Sequence, residues 1–119
     1  MISKHPPLRS FRAAAKGIAR LFLRERNARV ELAISVVALA LCAWFKVSAA
    51  EWGLVLLCAA AVLSAEAMNT AVEVLADTLN PSYSEGIGLA KDLAAAAVLL
   101  TALVSAIVGS LIFGPRFFS

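Results

Sequence analysis

Three long apolar stretches follow one another along this chain, and they restrict its possible folds more than any other feature. They comprise residues 32–45, 52–76 and 93–113. Each belongs to a segment that can form a helix of about 20 residues, the length that crosses a hydrocarbon core roughly 30 Å thick. Hydrophobic residues make up 61% of the 119 residues, far above the share in a soluble domain. We therefore predict an all-α membrane protein with a single domain, residues 1–119, and transmembrane helices at about 29–46, 51–79 and 89–113.

The basic residues predict how these helices are oriented. Eight of them precede the first transmembrane helix: Lys4, Arg9, Arg12, Lys16, Arg20, Arg24, Arg26 and Arg29. Lys91 follows at the second connection, whereas Lys46 and Arg116 lie at the opposite ends of the helices. Cytoplasmic segments carry an excess of lysine and arginine, so we expect a cytoplasmic N-terminus and an external C-terminus.

The basic N-terminal segment, residues 8–24, has the pattern of an amphipathic helix. One face would carry Phe11, Ala14, Ala15, Ile18, Leu21 and Phe22, and the opposite face Arg9, Arg12, Lys16, Arg20 and Arg24. Such a helix lies in the membrane interface with its cations toward anionic headgroups. The net charge of +3 is therefore local to this segment, and it indicates contact with membrane lipids rather than with nucleic acid.

A polar stripe interrupts the second apolar stretch. Glu66, Asn69, Glu73 and Asp77 are spaced by three, four and four residues, which confines them to an arc of about 80° on a helix. If Trp52 marks the outer boundary, Glu66 lies roughly 21 Å further in, still inside the hydrocarbon core. A carboxylate facing lipid is costly, so Glu66 should face protein or a cavity. Hydrogen bonds that hold a helix bundle together are the alternative explanation of the stripe.

Two more charged clusters should reach the same membrane face. Glu25, Arg29 and Glu31 lie at the start of the first transmembrane helix, and Lys91 and Asp92 at the start of the third. Carboxylates are the oxygen ligands that Mg²⁺ takes when it is shared with substrate phosphates, and a lysine beside them can neutralise phosphate charge. The alternative is an ordinary charged rim, with Glu25 paired to Arg29 and Lys91 beside Asp92.

The segments that flank these clusters add two structural expectations. Residues 80–88, "NPSYSEGIG", hold the helix breakers between the second and third transmembrane helices, so the chain should turn there. The third helix has a face of small residues that allows close helix packing: Ala95, Ala102, Ser105 and Gly109. Three helices bury little of their own surface, and a homo-oligomer would shield the polar stripe.

The motifs "ERNARVE", "EAMNTAVEVLAD" and "LAKDLAAAAV", after a basic amphipathic start, resemble the small prokaryotic diacylglycerol kinase family, which includes undecaprenol kinases. The resemblance covers residues 11–115. It implies a lipid kinase of the bacterial inner membrane, a homotrimer with sites between neighbouring subunits. Such an enzyme moves the γ-phosphate of ATP, with Mg²⁺ as cofactor, onto a lipid hydroxyl.

The same resemblance implies roles for individual residues. Glu66 would be the general base, and Glu25 and Glu73 would hold the metal ion. The residues implied to bind nucleotide or substrate are Asn69, Asp77, Lys91, Asp92, Arg29, Glu31 and Lys16. "FRAAAKGI" replaces the aromatic and polar residues that some members show, so Arg9, Arg12 and Lys16 stay alternative ATP contacts.

Two questions of function stay open at this point. "ERN", "EW" and "IFGPR" look more like the undecaprenol-phosphorylating branch than the diacylglycerol branch. A small transporter or proton-conducting subunit would also use a buried glutamate, although it leaves the acidic and lysine cluster without a task. A purely structural membrane protein leaves Glu66 unexplained.

Overall fold

A computed structural model of the chain describes residues 7–79, 82 and 84–119. Within these residues the chain forms four helices: α1 (Pro7–Arg24), α2 (Arg26–Phe45), α3 (Ala49–Leu79) and α4 (Glu85–Phe117). The last three are each long and apolar enough to cross a membrane. The predicted all-α architecture, with three helices long and apolar enough to span a membrane, is therefore confirmed.

The connection between α2 and α3 is short because both helix ends are well defined. Lys46 ends α2 in the left-handed conformation, with a φ of 54°. Ser48 and Glu51 then form a reciprocal cap at the start of α3: the Ser48 hydroxyl accepts from the Glu51 N–H, and the Glu51 carboxylate accepts from the Ser48 N–H. This cap turns the chain directly into α3, so α2 and α3 lie side by side.

The connection between α3 and α4 falls in the predicted turn at 80–88. Residues 80, 81 and 83 lie outside the described part of the chain. The Ser84 hydroxyl accepts a hydrogen bond from the Ile87 N–H and thereby caps the N-terminus of α4. The helix begins at Glu85, a few residues before the apolar segment that was predicted to cross the membrane. The first turn of α4 therefore lies beside the last turns of α3.

Aromatic rings close one end of the three-helix unit, which we call the aromatic end. The ring of Phe45 in α2 packs against Phe113 and Phe117 in α4, with centroid distances of 6.4 and 5.0 Å. Next to these rings, Arg116 donates through Nη1 and Nη2 to the two oxygens of Glu51, each at 3.0 Å. The buried core adjoins them, with Cys42 fully enclosed. Apolar contacts and an ion pair thus hold α2, α3 and α4 together here.

The opposite end, which we call the acidic end, is where α2 begins, α3 ends and α4 begins. At about 1.5 Å per residue, α3 is roughly 46 Å long and α2 roughly 30 Å. Glu66 lies about 20 Å before the last residue of α3 and is still close to the start of α2. The last turns of α3 and the first turns of α4 therefore project beyond α2.

The N-terminal helix α1 packs weakly on the other three. It joins α2 through one extended residue, Glu25, and Leu21 is its buried residue. Apolar Phe11 and Ile18 are 74% and 61% exposed, and the basic residues of the helix are exposed as well. The fold of the single chain thus leaves both faces of α1 without protein partners over most of its length.

Candidate active site

Glu66 is the buried charged residue of the described chain, and it anchors the candidate site. Its side chain retains 4% of its possible exposure, although it lies in a helix with many exposed apolar residues. Burial removes water from the carboxyl group, and the negative charges of Glu31, Glu25 and Glu73 act on it as well. The charges that act on this buried position come from α2, from α3 and from the junction before α2.

Asn69 lies one turn further along α3 and extends this cluster. Its side-chain amide donates to Glu73 Oε1 at 3.5 Å, a long hydrogen bond. Its Oδ1 atom is buried and has no hydrogen-bond partner within the described residues. A buried acceptor without a donor is uncommon in a folded protein. This unpartnered oxygen fits a site that a substrate hydroxyl group or a metal ion would complete.

Asp77 and Lys91 form the outer part of the site, on the projecting turns of α3 and α4. Lys91 Nζ lies 2.6 Å from Asp77 Oδ1, and the two side chains are 38% and 64% exposed. This ion pair joins two helices across the connection that contains residues 80, 81 and 83. Asp77 lies about 16 Å along α3 from Glu66, so the pair holds an exposed cation, Lys91, at about that distance from the buried carboxyl group.

The charged side chains at the helix ends have other partners than the Glu25–Arg29 pair of the alternative charged rim. Lys91 pairs with Asp77 rather than with the adjacent Asp92, and Glu25 accepts from Arg24 Nε at 3.3 Å. Arg29 instead donates through Nη1 to the carbonyl oxygens of Phe22 and Leu23, at 2.7 and 3.2 Å. Its guanidinium group therefore contacts the end of α1.

The structure does not bring every residue of the predicted site together. Lys16 is exposed on α1 and Asp92 is exposed on α4. Neither side chain forms a hydrogen bond or ion pair with another residue in the described ranges. Glu31, by contrast, lies both near Glu66 and on the wall of a groove. The carboxylates and Asn69 thus form the inner cluster, while Lys16 and Asp92 face solvent.

The carboxylates fit a divalent metal ion that substrate also binds. Among the described residues, no three histidine, cysteine or carboxylate side chains form a closed metal-binding group. Mg²⁺ commonly keeps several waters and takes one or two carboxylates together with phosphate oxygens. Glu25 and Glu73, with the unpartnered Oδ1 of Asn69 nearby, supply hard oxygen atoms of this kind. The donor set therefore suits Mg²⁺ that arrives with a phosphate ligand.

An apolar groove of about 490 Å³ runs between α2, α3 and α4 toward the aromatic end. Glu31 and Ser35 lie at its acidic end, and Phe113 and Gly114 at its far end. Its wall on α4 contains the small residues Ala102, Ser105 and Gly109, which leave room between the helices. An apolar chain in this groove would have its polar head beside the buried carboxyl cluster.

Among the contacts that were not predicted from the sequence, two differ in whether the sequence carries a local signal for them. The reciprocal cap of Ser48 and Glu51 has a local signal, the S-x-x-E pattern in "SAAE". The contact of Arg29 with α1 has none, because it depends on the angle at which α1 meets α2.

Comparison with known proteins gives a consistent result. A family model described as prokaryotic diacylglycerol kinase matches residues 12–113. The chain is 34% identical over 92% of its length to a diacylglycerol kinase of Synechocystis sp., of which it spans 63%. It is 33% identical over 91% of its length to an undecaprenol kinase of Bacillus subtilis, of which it spans 88%. The diacylglycerol kinase of Escherichia coli K12 is 28% identical over 86% of the chain.

Proposed function

The chain belongs to the prokaryotic diacylglycerol kinase family, and from that premise we propose that it transfers the γ-phosphate of ATP to a membrane lipid alcohol. The observation that carries the proposal is the buried Glu66, which feels the charges of three further carboxyl groups and lies one helical turn beyond Val62, a residue in the wall of an apolar groove. A base at this depth suits a hydroxyl group that a lipid brings to the interface. A phosphate-binding cation nearer to water suits a nucleotide.

The lipid hydroxyl oxygen attacks the γ-phosphorus while the bond to the bridging oxygen of ADP breaks. Glu66 accepts the proton of the hydroxyl group, which a general base must do within hydrogen-bond reach. Phosphoryl transfer otherwise depends on alignment and on neutralising charge. Lys91 contributes to this at the water-facing end, where it can contact phosphate oxygens, and Asp77 holds its ammonium group in place. Asn69 would help to shape the phosphate site through its side-chain amide nitrogen, a donor that lies 3.5 Å from Glu73 Oε1.

Glu25 and Glu73 would hold Mg²⁺, which when bound neutralises charge on the phosphate oxygens. The remaining predicted contacts belong to the periphery of the site. Asp92 and Lys16 face solvent and would reach the nucleotide only from outside the cluster. Glu31 lies where the groove meets the cluster, and it would bind the lipid headgroup.

The membrane arrangement is part of the proposal. The acidic end would face the cytoplasm of a bacterium, where ATP is available, and α1 would lie on the inner membrane surface with its arginines toward anionic headgroups. The N-terminus would then be cytoplasmic and the C-terminus external. A homotrimer would cover large apolar residues that the single chain exposes, and would bring a neighbour close to each site.

Undecaprenol and diacylglycerol are the two acceptors to test. The motifs of the sequence favour undecaprenol, while relatives named for each activity are equally similar to the chain. The test is transfer of labelled γ-phosphate from MgATP by the purified protein in detergent micelles, with each lipid offered separately. Labelled undecaprenyl phosphate as the main product supports the preferred acceptor, and labelled phosphatidate supports the other.

Glu66→Gln is the control for this experiment, because it removes the proposed base and keeps the shape of the side chain. A folded wild-type protein that labels neither lipid would overturn the kinase proposal. Proton or cation flux through the protein in liposomes without ATP would then favour the transporter, which also uses a buried carboxylate.

A further inference from the structure

Arg29 lies at the start of α2, yet its side chain points back to α1. The last carbonyl groups of a helix have no partner inside the helix and need other donors. In α1, the Leu21 carbonyl accepts from the Glu25 N–H at 2.8 Å. The Phe22 and Leu23 carbonyls accept from Arg29 Nη1 at 2.7 and 3.2 Å. A cation at this position also interacts favourably with the negative end of the helix dipole.

These contacts surround a junction that is one residue long. Glu25 has φ −105° and ψ 116°, an extended conformation between two helices. Its carbonyl accepts from the Arg29 N–H at 3.3 Å, while the Arg29 side chain binds the end of α1. Ala28, on the turn between these residues, is fully buried. Arg29 therefore contacts the junction from both sides, through its backbone and through its guanidinium group.

The angle at this junction decides where the Glu25 carboxylate lies. Glu25 is half-buried, and its charge acts on the buried Glu66. Its Oε1 atom is also held by Arg24 Nε at 3.3 Å. A change of the backbone angle at Glu25 would move this carboxylate relative to Glu66, because the residue belongs to neither helix.

We propose that Arg29 is a positioning residue: it ties the end of α1 to α2 and thereby holds the Glu25 carboxylate at the Glu66 cluster. This assignment replaces the substrate contact that sequence resemblance implies for Arg29. It rests on the proposed function for the role of Glu25 toward metal and phosphate, but the junction itself can be measured without any activity.

The first measurement is amide hydrogen exchange on the purified full-length protein in micelles, without nucleotide. Arg29→Gln removes the cation and its forked donors, so amides of residues 21–28 should exchange about 10-fold faster, as expected when charged hydrogen bonds at a helix end are lost. Arg29→Lys keeps a cation and should recover part of the protection. Arg26→Gln is the matched control, because the side chain of Arg26 is exposed and forms no hydrogen bond or ion pair within the described residues. Unchanged exchange in Arg29→Gln would overturn the proposal.

The second measurement is binding of Mn²⁺ with a non-hydrolysable ATP analogue, followed by electron paramagnetic resonance. Loss of a residue that orients a metal ligand commonly weakens metal binding by about 10- to 100-fold. Arg29→Gln and Glu25→Gln should each weaken Mn²⁺ binding to this extent. If Arg29 acts through Glu25, the double variant should bind Mn²⁺ no more than about 2-fold more weakly than Glu25→Gln alone.

The outcomes separate this proposal from the proposed function. Multiplicative losses in the double variant would mean that Arg29 contacts the nucleotide itself, which contradicts the positioning role. If the wild-type chain binds neither Mn²⁺ nor the analogue, the kinase proposal fails, and hydrogen exchange still decides the junction. If Arg29→Gln does not fold, Arg29→Lys serves in both measurements, with partial loss expected and wild-type behaviour in both contradicting the proposal.

Discussion

Replacement of Glu66 by glutamine should abolish most turnover while sparing nucleotide binding. Glutamine has nearly the same shape as glutamate, so the substitution leaves no cavity at a position that is 4% exposed. It removes the group proposed to accept the proton of the lipid hydroxyl. It also places no new charge beside Glu31, Glu25 and Glu73, so the fold should not lose stability.

The size of the effect follows from the proposed role of Glu66 and its place in the fold. A positioned general base contributes about 10²- to 10⁴-fold to the rate. At about 1.36 kcal/mol for each factor of ten, this corresponds to roughly 2.7–5.4 kcal/mol of activation free energy. The Asp77–Lys91 pair lies about 16 Å away along α3, so KM for MgATP should change by less than about threefold.

The assay compares kcat and KM for MgATP in micelles at saturating lipid, together with thermal unfolding of each variant. Glu85→Gln is the matched control, since Glu85 is an exposed carboxylate in the first turn of α4 and should leave kcat unchanged. A Glu66→Gln protein with wild-type kcat would refute the role of Glu66 as base. A large rise in KM at unchanged kcat would instead assign Glu66 to substrate binding.

Four further substitutions test three other features of the fold. Asp77→Asn removes the negative charge of the carboxylate that lies 2.6 Å from Lys91 Nζ, so KM for MgATP should rise about tenfold with a smaller change in kcat. An unchanged KM in steady-state kinetics would contradict this. Glu51→Gln and Arg116→Gln should each lower the melting temperature in detergent, and the double variant should melt no lower than the less stable single variant. Additive decreases in melting temperature would refute the pairing. Lys46→Gly should raise the free energy of unfolding by up to about 1 kcal/mol, because glycine adopts the left-handed φ of 54° with less strain than lysine. A lower stability of the variant in chemical denaturation would contradict this.

The elements of the fold could be predicted because each depends on local patterns. An apolar stretch long enough to cross a bilayer must become a helix, since every backbone N–H and C=O needs a partner in lipid. The alignment of Glu66, Asn69, Glu73 and Asp77 on one side of α3 follows from the helical period. The membership in the family, predicted from the motifs of the chain, is confirmed by the family match over residues 12–113.

The pairing of charged side chains could not be predicted, because several partners were equally close in sequence. Lys91 has Asp92 as its neighbour, yet it pairs with Asp77, fourteen positions earlier. This choice depends on how the last turns of α3 lie against the first turns of α4. Arg29 could have paired with Glu25 one turn away, and the angle between α1 and α2 directs it to the carbonyls of α1 instead.

By itself, the sequence determined that this chain forms three membrane-length helices and that one of them carries a polar stripe, because helix formation and amphipathic periodicity are properties of a single segment. Only the tertiary structure decided that Glu25 and Glu31 lie close enough for their charges to act on the buried Glu66 of α3, since these two residues come from separate segments of the chain. It also decided which end is closed by apolar packing and which end stays open to water. These features depend on the relative lengths and contacts of neighbouring helices, which no single segment of the sequence encodes.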